Sequence, residues 1–204
     1  MKISLNGAGR RYNQEWIFRN LSYDFRPGEK YAILGPNGSG KSTLLSLVLG
    51  NLSPSEGTIS YAEDQPIPVE MIYKHLSFAA PYLDLIEEFT LRETVDFHFR
   101  FKKFHPGLNS SALLDLLGLK NSGDKALKYF SSGMKQRTKL ALACCTDTPM
   151  LLLDEPVSNL DAQGIHWYHE LMAEFTKNKL VIIGSNQEIE YSFCQHFVRI
   201  TDYK

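Results

Sequence analysis

The chain opens with short segments in which apolar and polar positions alternate. "KISLNG", "EWIFRNLSYDF" and "EKYAILG", bounded by Asn, Pro and Gly turn residues, predict a β-rich entry. From "GKSTLLSLVLG" the period changes: Leu44, Leu45, Val48 and Leu49 recur at helical spacing, and Gly50 followed by "NLSPSEG" supplies the stop. "GTISYA" is another short strand. From about Pro81 to Ala143 the patterns are helical, with "LRETVDFHFRFKKF", "SALLDLLGL" and "GMKQRTKLALA" separated by Pro, Gly and Ser breaks. After them, "MLLLDEP" and "LVIIGS" are continuous apolar runs of strand length, the mark of parallel strands covered on both faces. "AQGIHWYHELMAEF" between them reads as the crossover helix. The pattern predicts an α/β fold with a mostly parallel sheet, a β-rich N-terminal part and an inserted helical subdomain.

Length and composition narrow this picture without changing it. At 204 residues the chain suits one domain with a full hydrophobic core. The division expected is a core at 1–80 and 147–204, with the helical subdomain at 81–146. Apolar residues make up 43% and the formal net charge is −1, so the basic excess of a nucleic-acid binder is absent and no nucleic-acid partner is expected. Cys144, Cys145 and Cys194 form no paired framework, which points to buried small apolar residues in a reducing compartment. The N-terminus lacks the apolar region of a signal peptide, and no run approaches the roughly 18 apolar residues of a membrane span. The expectation is a cytoplasmic protein that meets a membrane only through a partner.

The chemistry begins at "GPNGSGKST", Gly35 to Thr43, which matches G-x-x-x-x-G-K-[ST] between a predicted strand and a predicted helix. Gly35, Gly38 and Gly40 let the backbone of Pro36, Asn37 and Ser39 wrap around phosphate with its N–H groups inward, and the helix adds its positive end. Lys41 neutralises the outer phosphates, and the Ser42 hydroxyl is a ligand for Mg²⁺. The second half of such a site is a carboxylate at the end of a buried strand. "MLLLDEP" supplies Asp154 to hold Mg²⁺ and Glu155 as candidate general base.

Two further stretches read more blandly. "HFRFKKFH" mixes basic and aromatic residues, but Phe97, Phe101 and Phe104 fall on one helical face, predicting a buried stripe with a solvated opposite face. His166 and His169 have i, i+3 spacing without further ligands in view, and read as a partly exposed helix face.

With the phosphate loop and carboxylate pair in place, the sequence resembles, over essentially its whole length, the ATP-binding subunits of ABC (ATP-binding cassette) transporters. The resemblance implies a P-loop NTPase (RecA-like) core that binds ATP and Mg²⁺. It makes Tyr12 the aromatic residue that stacks on adenine. "FSSGMKQR", Phe130 to Arg137, is similar to the family signature LSGGQ: Ser131 and Gly133 match, while Ser132 replaces a glycine and Met134 the glutamine. Physically such a motif is a capped helix start whose free N–H groups bind the γ-phosphate of ATP held by a second subunit. "SNLD", Ser158 to Asp161, matches the family's D-loop at the interface between two subunits. The implied partners are a second ATP-binding subunit, forming a homodimer, and a separate transmembrane permease subunit that holds the protein at the inner face of the membrane.

Two departures from the family pattern bear on mechanism. The family's glutamine after the strand "HLSFAAPY" is missing, the region reading Ala79, Ala80, Pro81, and the family's histidine falls at Asn186, after the conserved-type hydroxyl Ser185. Asn donates a hydrogen bond as neutral imidazole does, but carries no charge and accepts no catalytic proton. Losing one donor at such a site costs on the order of a hundredfold in rate. The reading is slow ATP hydrolysis coupled to transport, with Glu155 retained as base and Asn186 as a weakened contact. A non-hydrolysing ATP-dependent switch is the alternative. A soluble ATPase acting on DNA or the ribosome would want coiled-coil insertions, tandem cassettes or a basic surface, none of which is present.

Overall fold

The computed structural model describes residues 1–204, apart from the side chain of Lys120. The chain forms two compact units: the first comprises Met1–Leu76, Pro149–Glu155 and Asn178–Lys204, the second Ser77–Thr148 and Pro156–Lys177. It passes from one to the other within β6, Leu76–Ala79.

The first unit contains an antiparallel sheet ordered β2-β1-β4-β5, from β1 (Lys2–Tyr12), β2 (Glu15–Phe25), β4 (Glu56–Ala62) and β5 (Pro66–Ile67). β1 and β2 form a hairpin in which Tyr12 opposes Glu15 and Asn13 takes the left-handed conformation at φ 53°, the tolerance that suits Asn to tight turns. Ile3 and Leu5 of β1 and Phe18, Leu21 and Phe25 of β2 are buried, so the alternating pattern marks the covered face. The second layer is parallel. β3 (Lys30–Leu34), β7 (Met150–Asp154), β8 (Leu180–Gly184) and β9 (His196–Arg199) line up as β7-β8-β3-β9. Every residue of β7 and β8 is buried, as continuous apolar runs require. Helix α1 (Lys41–Val48) packs on β7 and β8 through buried Leu44, Leu45, Leu47 and Val48, each contributing about 1.5–3 kcal/mol. That packing places the start of α1 near the end of β7.

The second unit is helical: α2 (Leu91–Phe101), α3 (Ser110–Leu116), α4 (Ser132–Cys144) and α5 (Ala162–Phe175). Side-chain caps define their starts. Thr90 and Glu93 form a reciprocal capping box on α2, and Asn109, Ser131 and Asp161 each accept from a backbone N–H one turn on. Helices α4 and α5 pack together, with Cys144 Sγ 3.9 Å from Met172 Sδ and the Arg137 guanidinium 4.7 Å over the Trp167 ring. The Trp167 indole N–H donates to Leu116 O at 2.9 Å. These contacts join residues 156–177 to the helical unit, whereas the sequence placed them with the core.

The aromatic stripe also differs from expectation. Phe97 is 42% and Phe101 75% exposed, because α2 turns the adjacent stripe of Leu91, Thr94 and Val95 inward. Phe104 lies past the helix end, stacked on Phe99. All three cysteines are buried and stand outside any disulfide. His166 is exposed and pairs with Glu170 at 3.3 Å.

Candidate functional site

Strand β3 ends at Leu34 and the chain turns through Gly35–Gly40 into α1. The turn relies on glycine: Gly35, Gly38 and Gly40 have φ of 154°, 76° and 110°, and a Cβ on Gly40 would lie 2.5 Å from Ile17 Cγ2. Lys41 is buried, and its ammonium donates to Gly35 O at 2.8 Å and Pro36 O at 3.3 Å, folding the loop around its own cation. Ser39 Oγ is buried without a hydrogen-bond partner. A loop bent by glycines, a buried cation and an unsatisfied hydroxyl match what a polyphosphate needs.

Asp154 is buried at the end of β7, beside Gly184 at the end of β8. The next residue, Glu155, has φ 42°, a conformation a non-glycine residue adopts only when its surroundings enforce it. Here the Glu155 N–H donates to Gly184 O at 2.9 Å, which holds the bend. The consequence is positional. Glu155 lines one cavity of about 200 Å³ together with Asn37, Gly38, Gly40, Lys41, Ser42, Thr43 and Ile17. The two distant motifs of the sequence therefore meet. Exposed Ser42 and buried Asp154 offer the hard oxygen donors that Mg²⁺ takes, one or two from protein.

Asn186 follows β8 and its amide N–H donates to Asn37 Oδ1 at 2.8 Å, so the loop after β8 is joined to the phosphate loop. The turn that carries it is pinned from beneath. The Ser185 N–H donates to Ile33 O at 3.1 Å, the Gln187 N–H donates to Ser185 Oγ at 2.9 Å, and Ser185 Oγ donates to the carboxylate of Glu190, which is buried in α6 (Glu188–Tyr191). Glu190 was not singled out in the sequence, where an acidic residue in "NQEIEY" reads as surface. Ile17 was missed for the opposite reason, an apolar strand residue looking like core. Tyr12 is not in the cavity lining. It stands at the end of β1, 45% exposed, with the Arg10 guanidinium 4.8 Å from its ring centroid.

The remaining expected residues lie in the second unit. Ser131 caps α4 by accepting from the Met134 N–H at 3.2 Å, and Ser131 and Ser132 are exposed. Gly133 is required by close approach: a Cβ there would lie 2.9 Å from Asn159 O. Asp161 caps α5, accepting from the Gly164 N–H at 2.8 Å. Gln136, also unremarked in the sequence, is buried and donates to Pro156 O at 2.8 Å, fixing the residue after Glu155 to α4.

A phosphate loop between a parallel strand and a helix, with two carboxylates at the end of a strand one place removed in the same sheet, defines a P-loop nucleotide-binding α/β protein. The comparisons specify it further. The ABC transporter family profile matches residues 18–158, and the chain belongs to that family. It is 31% identical over 176 residues to the uncharacterized ABC transporter ATP-binding protein YcbN of Bacillus subtilis, covering 86% of this chain and 57% of that protein. To the Nod factor export ATP-binding protein I of Sinorhizobium fredii it is 31% identical over 204 residues, covering 98% of this chain and 58% of the relative. The chain thus spans less than two thirds of these relatives. A putative ABC transporter ATP-binding protein from Pyrococcus furiosus shares the fold at TM-score 0.83 with 22% identity, each chain covered in full (100% and 100%). A dimeric bacterial ABC transporter cassette does so at TM-score 0.82 and 22% identity, covering 97% of this chain and 94% of that one. Among the described residues no helix is long and apolar enough to cross a membrane.

Proposed function

We propose that the chain is the ATP-hydrolysing subunit of a transporter: it binds MgATP between two copies and drives a separate membrane subunit from the cytoplasmic side. The observation that carries this is the single cavity joining Lys41, Ser42 and the strained Glu155. Gly35–Thr43 bind the phosphates and Tyr12 is the stacking surface for adenine. Ser42 and Asp154 are the residues that would hold Mg²⁺, which supplies charge neutralisation at the phosphate oxygens. Glu155 takes the proton of the attacking water. Asn186 donates to a terminal phosphate oxygen in exchange for its bond to Asn37. The capped start of α4, Ser131 to Met134, and Asp161 face the partner copy's nucleotide.

An apolar groove in the helical unit supports the membrane-subunit reading. It is lined by Leu85, Ile86, Phe89, Phe97, Phe101 and Leu142, among others, with a volume of about 270 Å³. A buried helix of a partner covers such aromatic surface, which the chain leaves exposed.

The test is ATP turnover by the purified protein. Wild type is expected to hydrolyse slowly, Glu155→Gln to lose about a hundredfold or more, and Asn186→His to gain about tenfold or more. ATP binding with no turnover in any variant would instead support the non-hydrolysing switch, for which the Asn186–Asn37 contact and the missing glutamine speak.

A further inference from the structure

Segment 80–87 follows β6, where the resemblance leads one to expect a glutamine, and its first two residues, Ala80 and Pro81, have no polar side chain. Helix α4 reaches that segment instead. The Lys139 ammonium donates to Pro81 O at 2.6 Å and, more weakly, to Ala80 O at 3.5 Å. One turn earlier Lys135 pairs with Glu87. Ser131, Lys135 and Lys139 are spaced i, i+4, i+8, so the N-cap and both lysines lie along one stripe of the helix. Burial pushes the Lys139 ammonium below its usual value, opposed by Asp84 in the same segment.

A second connection runs through the backbone. The Lys128 N–H donates to Glu87 O at 2.9 Å and the Leu127 N–H to Phe89 O at 2.9 Å, three to four residues before Ser131. Segment 80–87 also supplies Asp84, Leu85 and Ile86 to the wall of the apolar groove. The groove wall is therefore linked at both ends to the element that presents Ser131.

We propose that Lys135 and Lys139 are positioning residues that fix the start of α4 to the groove wall at 80–87 and carry displacements between them. This rests on the proposed function, in that the start of α4 meets nucleotide across a dimer.

The experiment measures ATP-driven dimerisation in the Glu155→Gln background by sedimentation, with ATP affinity of the monomer and hydrogen exchange of peptides covering 131–138 in the same samples. Lys135→Glu and Glu87→Lys are each expected to raise the dimerisation midpoint about fivefold, and the double charge swap to restore it to within about twofold. Lys139→Met is expected to raise it about tenfold while Lys139→Arg retains the reach and stays within about threefold. Monomer ATP affinity changes by less than about twofold throughout, since these residues are not in the phosphate cavity. Additive losses in the charge swap, or Lys139→Met behaving as wild type, would overturn the proposal. Should wild type bind ATP without dimerising, the sandwich reading has failed. The tether is then judged on exchange at 131–138, where the same pattern of loss and rescue supports it and its absence refutes it.

Discussion

At position 186 an amide makes a hydrogen bond whose strength does not depend on pH, where an imidazole would titrate near 6.5. The pH–rate profile of Asn186→His is expected to show a limb between about pH 6 and 7.5 that the wild-type profile lacks. Steady-state turnover across that range decides it, and identical profiles would remove Asn186 from the phosphate contact. Gly133 is a second residue-scale case. Its missing Cβ leaves room for Asn159 O, so Gly133→Ala places a methyl 2.9 Å from a backbone atom that is held by its own turn at φ 65°. A loss of about 1–3 kcal/mol is expected from overpacking, read as a lower midpoint of thermal or denaturant unfolding. Sequence reading found these positions by motif, yet only the contact with Asn159 gives the physical reason for glycine at 133.

At the scale of elements, apolar runs carried most of the information, and the caps of α2 and α3 went unread. Thr90-x-x-Glu93 is a capping box visible in "TLRE", and the structure forms both of its hydrogen bonds, Thr90 N–H to Glu93 Oε2 at 2.8 Å and Glu93 N–H to Thr90 Oγ1 at 3.2 Å. Thr90→Ala is expected to destabilise the protein by about 1 kcal/mol, measurable as a shift of the urea midpoint at constant slope. The runs "MLLLD" and "LVIIG" became β7 and β8 because every side chain is covered. Strand β9, four residues long, escaped definition because so short a run has no period of its own, and β6, of the same length, was named only through the resemblance. The phenylalanine stripe failed for a related reason: periodicity identifies one face of α2, but Leu91 and Val95 outcompete it for the interior.

For the molecule as a whole, one half-buried group sets a pH dependence of stability. His98 Nε2 lies 2.9 Å from Thr146 Oγ1, and burial, with help from Lys102, pushes its imidazole down to about 4. The folded state therefore holds His98 neutral where the unfolded chain would protonate it. Stability is fully present above about pH 6.5 and is lost as the pH falls toward 4, by on the order of 2–3 kcal/mol. His98→Gln is expected to flatten the fall in unfolding midpoint between pH 7 and 5, measured by calorimetry; an unchanged pH slope would mean another group is responsible.

The sequence by itself determined the class of fold, the phosphate loop, the carboxylate pair and the capped start of α4, because each is written in contiguous residues whose local geometry does the chemistry. It also showed, by type alone, that position 186 has no imidazole. Only the tertiary structure decided what depends on contacts between distant segments. These are the strained placement of Glu155 by Gly184, the bond from Asn186 to Asn37, the buried Glu190 beneath Ser185, and Lys139 of α4 on the backbone of Ala80 and Pro81. A side chain's neighbours across the fold are set by packing, and no local pattern in the chain records them.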